Sequence, residues 1–115
     1  MPEVDEATPA DELRIVDNPV ERRYEALVGD QLAGMAEYRR AGNRVIFTHT
    51  ETDPDFAGKG VASRLARGAL DDVRARGLVF TPKCPFIAAY VQRHPAYQDL
   101  LVSVEDLRRN RDRHS

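Results

Sequence analysis

The stretch Ala57-Gly58-Lys59-Gly60-Val61-Ala62-Ser63 sets two glycines around a lysine immediately before an apolar-periodic run. A helix start leaves its first N–H groups unpartnered and adds a partial positive dipole, so it favours an anion. Gly58 and Gly60 remove the side chains that would hold a phosphate away from the backbone, and Ser63 offers a hydroxyl within the first turn. A plain strand-to-helix corner, with glycines used for positive φ, is the simpler employment of the same residues. Two phosphate-loop motifs fail on spacing. The P-loop needs a Gly-Lys-Ser/Thr ending, whereas Lys59 precedes Gly60 and no hydroxyl follows. The dinucleotide fingerprint needs a third glycine where Ser63 stands, and it needs a parallel βαβ unit where hairpins precede.

The elements that must position this loop can be read from periodicity. Tyr24, Ala26 and Val28 fall on one side of a strand, Gly29 and Asp30 supply a turn, and Leu32, Gly34, Ala36 and Tyr38 line the next strand. After a turn at Ala41, Gly42 and Asn43, the residues Val45, Phe47, His49 and Glu51 alternate against Ile46, Thr48, Thr50 and Thr52 in a third strand. An antiparallel meander is expected. From Val61 to about Arg76 the period becomes helical, with Val61, Leu65, Ala69 and Val73 inward and Arg64, Arg67, Asp71, Asp72 and Arg74 outward, and Gly77 as the cap. Gly68 inside that helix costs about 1 kcal/mol against alanine, which points to close packing or to simple tolerance. "LVFTPKC" reads as a buried strand, Pro85 opens a second, short helix that Pro95 stops, and Leu101 to Val104 offers a short final strand.

At 115 residues the chain is one domain, expected over residues 13–104 between a disordered acidic N-terminus, residues 1–12, and a basic polar tail, residues 105–115. No apolar run approaches the roughly 20 residues of a membrane helix, and the N-terminus lacks the order of a secretory signal, so a cytoplasmic protein without a membrane partner is expected. One cysteine and three scattered histidines make neither a disulfide framework nor a zinc site, and no metal is expected. A net charge of −2 supplies no field that would draw the chain to nucleic acid.

"AGKGVA", Ala57 to Ala62, resembles the [QR]-x-x-G-x-[GA] pattern of the acetyl-CoA-dependent N-acetyltransferases of the GNAT superfamily, with Ala57 in place of the usual Gln or Arg. The element order, together with Cys84-Pro85-Phe86 and His94-Pro95-Ala96-Tyr97, is similar to the short single-domain branch of that superfamily over roughly residues 20 to 101. The resemblance implies an α/β (α+β) fold: a mainly antiparallel mixed sheet, a long helix after the glycine loop, and a second short helix. It implies acetyl-CoA as cosubstrate, cradled by Thr52, Ala57, Gly58, Lys59, Gly60, Val61, Ala62, Ser63 and Cys84. The acceptor would be a small-molecule or peptide amine, the oxyanion would be held by an N–H of the strand Phe47 to Asp53, and direct attack is the default mechanism.

Three residues are catalytic candidates on that resemblance. Tyr90 lies on the short helix in the place where the family often has a tyrosine, and a phenol of ordinary pKa near 10 is matched to protonating a thiolate; packed with Phe86, Ile87 and Val91, it also reads as a core tyrosine. Cys84, at the positive end of the short helix, could take the acetyl group transiently, line the cofactor edge, or serve as a small buried residue. Glu51, with His49 on the same strand face, is a candidate general base. The reduced domain could borrow a wall of the acceptor site from a second subunit, as a homodimer, and a CoA-binding sensor or adaptor without turnover is the alternative function.

Overall fold

The computed structural model describes residues 13–102. The expectations for residues 1–12 and for the tail lie outside the described residues. Among the described residues five strands form one sheet in sequence order: β1 (Leu13–Asn18), β2 (Arg23–Val28), β3 (Gln31–Ala41), β4 (Arg44–Thr52) and β5 (Val79–Pro82). The first four pair antiparallel through tight turns, and β5 joins β4 in parallel, with Arg44 opposite Val79 and Phe47 opposite Pro82. Helix α1 (Val61–Ala75) crosses the sheet, and α2 (Pro85–Arg93) follows β5. Short 3₁₀ turns occupy Pro54–Phe56 and Pro95–Leu100.

Both helices pack on the same face of the sheet. Tyr24, Ala26, Ala36, Tyr38, Val45, Phe47 and Phe80 from the strands meet Leu65, Ala69, Leu70 and Val73 of α1 and Ile87 and Val91 of α2 in one buried cluster. Aromatic rings run across the strands from Tyr24 to Tyr38 at 5.4 Å, to Phe47 at 6.5 Å and on to Phe80 at 6.2 Å, the last two edge-on as ring quadrupoles prefer. Gly77, at φ +68°, closes α1: its N–H donates to the Arg74 carbonyl and the Leu78 N–H to that of Val73, which is the paired bonding of a glycine cap.

Four sequence expectations change. The meander has a fourth strand, β1, because Ile15 and Val16 are both half-buried and so hide the period-2 signal. Leu32 is exposed instead of facing the core, because the register between β2 and β3 slips at Ala26/Leu27 and buries Ala33 in its place. A second slip, where Glu37 opposes His49 but Tyr38 opposes Phe47, makes Thr48 a bulge. It turns His49 and Glu51 to the exposed face, opposite Val45 and Phe47, and brings Thr50 to the covered one. Asp72, expected to point outward, is half-buried and accepts the Tyr24 hydroxyl at 2.7 Å. Of the proposed final strand only the start is described, as a single parallel bridge between Phe80 and Leu101.

Asp72 belongs to a polar network that pins α1 to the sheet. Arg76 bridges Asp72 at 2.9 Å and Asp17 of β1 at 3.2 Å, and Asp17 accepts the Tyr38 hydroxyl at 2.5 Å. Each tyrosine and each carboxylate thus has a partner, which keeps the cost of their partial burial low.

Candidate functional site

Strand β4 leaves β5 halfway along its length. The last paired residues are Phe47 and Pro82, and the Phe47 carbonyl then accepts both the Lys83 and the Cys84 N–H, at 2.9 and 3.0 Å. Beyond it β4 continues to Thr52 while the chain at Cys84 turns into α2, so the two strands splay. The Asp53 N–H bonds the Ala33 carbonyl, and a Cβ on Gly34 would lie 2.9 Å from the Glu51 carbonyl, so the peptide groups of Glu51 and Asp53 point towards β3. Alternation along the strand then aims the N–H groups of Thr50 and Thr52 into the splay. Gly34 makes this possible, because any side chain there would strike the β4 backbone and the Val61 side chain, at 2.9 and 3.2 Å.

The glycine loop follows directly. Asp53 caps the 3₁₀ turn through its side chain, which accepts the Asp55 N–H at 2.8 Å, and buried Phe56 anchors the turn to the core. Gly58 and Gly60 have φ of +78° and +73°, and no atom of the described residues lies within 4 Å of where their Cβ atoms would stand. Gly60 is the N-cap of α1 and supplies the carbonyl for the first helical bond, from Arg64. The N–H groups of Gly58, Gly60, Val61, Ala62 and Ser63 have no acceptor among the described residues. One expected donor is already used, because the Lys59 N–H bonds the Phe56 carbonyl at 3.3 Å; only its exposed side chain remains for a ligand. Ala57 likewise gives its N–H to Pro54.

The catalytic candidates do not form one cluster, and no hydrogen bond joins any two of them. Cys84 is the buried N-cap of α2, and its sulfur lies 3.0 Å from the Thr50 hydroxyl at the floor of the splay. Thr50 was not foreseen, because only the Thr48 bulge brings it to this face. Glu51 pairs with His49 at 2.8 Å on the opposite, exposed face. Beside it lies a cavity of about 210 Å³ lined by Leu32, Gly34, Met35, Glu51, Thr52, Asp53 and Pro54.

Tyr90, six residues beyond Cys84, lies about 9 Å further along α2. It is buried, with His94 stacked on its ring at 4.1 Å and Tyr97 at 6.3 Å, and its hydroxyl has no hydrogen-bond partner among the described residues. Burial pushes its phenol above the ordinary value, opposed by the Arg67 charge. Among the described residues no group of three or more His, Cys, Asp or Glu side chains could hold a metal ion, and no helix is long and apolar enough to cross a membrane.

An α1 N-terminus with spare amides, next to a splay between β4 and a parallel β5, is the arrangement against which related proteins can be compared. A family model described as GCN5-related N-acetyl-transferase matches residues 23–100. The chain belongs to this family. Among curated relatives, Protein NATD1 of Homo sapiens and of Mus musculus are each 36% identical over 64 residues, 55% of this chain. The aligned part is 57% and 58% of those proteins, respectively, so it spans less than two thirds of their length. Protein NATD1 of Xenopus tropicalis aligns over 99 residues at 28% identity, covering 84% of this chain and 91% of its own. A GCN5-like protein of Staphylococcus aureus, solved by NMR, superposes with a TM-score of 0.61 over 81% of this chain and 91% of its own. At 22% identity that likeness is one of fold. Membership accounts for the mixed sheet of this GCN5-related domain.

Proposed function

We propose that this domain transfers an acetyl group from acetyl-CoA to an amine by direct attack. The observation that carries the reading is the set of amides of Gly58, Gly60, Val61, Ala62 and Ser63, which have no acceptor among the described residues and share an α1 N-terminus that no Cβ obstructs. A diphosphate needs such a cradle, since bare N–H groups and the helix dipole together hold its charge. The cosubstrate supplies the activated thioester. The Thr50 and Thr52 amides, fixed by the strand, are pre-oriented donors for the carbonyl oxygen as it gains charge. Tyr90, held neutral by burial, supplies a proton to the departing sulfur. Glu51 lines the cavity beside Thr52, where an acceptor amine can approach and lose its proton. Cys84, buried against Thr50, lines the floor.

Titration calorimetry with acetyl-CoA tests the cradle, and no heat of binding at millimolar concentration would refute it. Thiol release measured across polyamines, lysine peptides and small amines tests the transfer. Binding without release in the presence of any amine would leave a CoA-binding adaptor in place of an enzyme.

A further inference from the structure

We propose that Arg22, Arg39 and Arg40 form a second anion site, for the phosphoryl group of a small phosphate monoester, at the end of the sheet far from the glycine loop. Strand β3 starts beside that loop and runs away from it. Its pairing with β2 ends at Glu37 opposite Arg23, and the Tyr38 N–H to the Arg22 carbonyl, 2.9 Å, is the last bond on that side. From Arg39 to Ala41 the strand has β4 on one edge and, among the described residues, no strand on the other. Because the Tyr38 N–H faces that edge, alternation places the Arg40 N–H there too, as a spare donor.

Two adjoining cavities open at this edge. One, about 440 Å³, is lined by Pro19, Arg22, Tyr38, Arg39 and Arg40. The other, about 400 Å³, shares Arg22, Tyr38 and Arg39 but adds Glu21, Glu37 and Thr48. The carboxylates repel an anion from the second cavity, so the first is the one that would hold it. Neither Arg22 nor Arg39 has an ion pair or side-chain hydrogen bond among the described residues, and Arg40 spends only one donor, on the Gly42 carbonyl at 3.1 Å. Planar guanidinium forks match phosphate oxygens better than a point charge would. The cavity exceeds what inorganic phosphate fills, which leaves room for the body of an ester.

The backbone adds an independent observation. Arg22 has φ +57°, the only positive value at a non-glycine among the described residues. The turn it closes, with its N–H on the Pro19 carbonyl at 3.3 Å, would be met more cheaply by glycine. A guanidinium held there against backbone preference is explained if the side chain has a ligand.

The test is an NMR titration of the ¹⁵N-labelled full chain at low salt with glycerol phosphate, inorganic phosphate and acetate. The Tyr38, Arg39 and Arg40 amides should shift saturably, most tightly with the monoester and least with acetate. Arg22→Gly should weaken that binding roughly tenfold, the loss of one charge-assisted contact, while the melting temperature holds or rises as the positive φ is relieved. Arg39→Gln should weaken it comparably. The amides of Gly60 to Ser63 report the glycine loop separately in the same spectra, so failure at either site leaves the other readable. No saturable shift at Tyr38–Arg40, equal affinity for acetate, or unchanged affinity in both variants would overturn the assignment.

Discussion

Gly68→Ala tests the packing of α1 on the sheet, because two known effects oppose each other there. In an exposed helix the change stabilises by about 1 kcal/mol. Here the new Cβ would lie 2.8 Å from the Cβ, Cγ1 and Cγ2 atoms of Ile15. Carbon atoms pack at roughly 3.5–4.0 Å, so α1 or β1 must retreat by about 1 Å. The Ile15 Cβ is fixed to its strand backbone and cannot swing aside. Overpacking costs typically about 1–3 kcal/mol, and this contact with backbone-fixed atoms belongs at the upper end; after the propensity gain, a net loss of about 2 kcal/mol remains. Urea unfolding with a constant m-value reads it, as does a fall in melting temperature of roughly 8 °C. Ile15→Ala removes two of the three clashing atoms, so the double variant should be more stable than additivity predicts by about 1 kcal/mol. A variant as stable as the parent, or strictly additive costs, would refute the close-approach account and leave Gly68 as mere tolerance.

Gly60→Glu sets a like charge and a bulky side chain at φ +73° in the cradle; acetyl-CoA affinity should fall at least about tenfold by calorimetry, and normal binding would contradict the pose. Tyr90→Phe should lower kcat about a hundredfold with cosubstrate binding intact, whereas Cys84→Ala should keep most of the turnover; the reverse pattern in steady-state kinetics would shift the chemistry to the thiol. All four tyrosines should resist ionisation. Burial and the Asp17 bond push Tyr38 up to about 12, burial and Asp71 bring Tyr97 to about 12, and burial raises Tyr24 and Tyr90. Since folding favours the neutral phenols, that stabilisation is complete below the unfolded value near 10 and is lost as pH rises through about 12. Near-ultraviolet absorbance should therefore show little tyrosinate in the folded protein at pH 10, and half-titration there would disprove the network.

Local chemistry made much of this legible. Gly29-Asp30 and Gly42-Asn43 mark two hairpin turns, Pro85 marks the start of α2, and Gly77 with the four-residue apolar period sets α1 to within one residue. The glycine loop is legible for the same reason, since positive φ and a helix start both leave a trace in residue type. The bulges at Ala33 and Thr48 leave none. They arise from how neighbouring strands settle against one another, and they decide that Thr50 meets Cys84 while Glu51 does not. Strand β1 escapes notice because an edge strand with apolar residues on both faces has no period. The use of the Lys59 amide by Phe56 follows from a 3₁₀ turn that Pro54 and Asp53 build locally and that buried Phe56 ties to the core.

Among the described strands the one parallel ladder, β4 with β5, sets an order of assembly. Hairpins among β1 to β4 close short loops, while β5 can dock only after the whole of α1 has been laid down between Arg44 and Val79. The cleft between β4 and Cys84 is thus completed by the most sequence-distant contact of the sheet. A ligand bridging the α1 N-terminus and that cleft would act as a clasp on the last-formed pairing, slowing its opening in hydrogen exchange more than that of the meander.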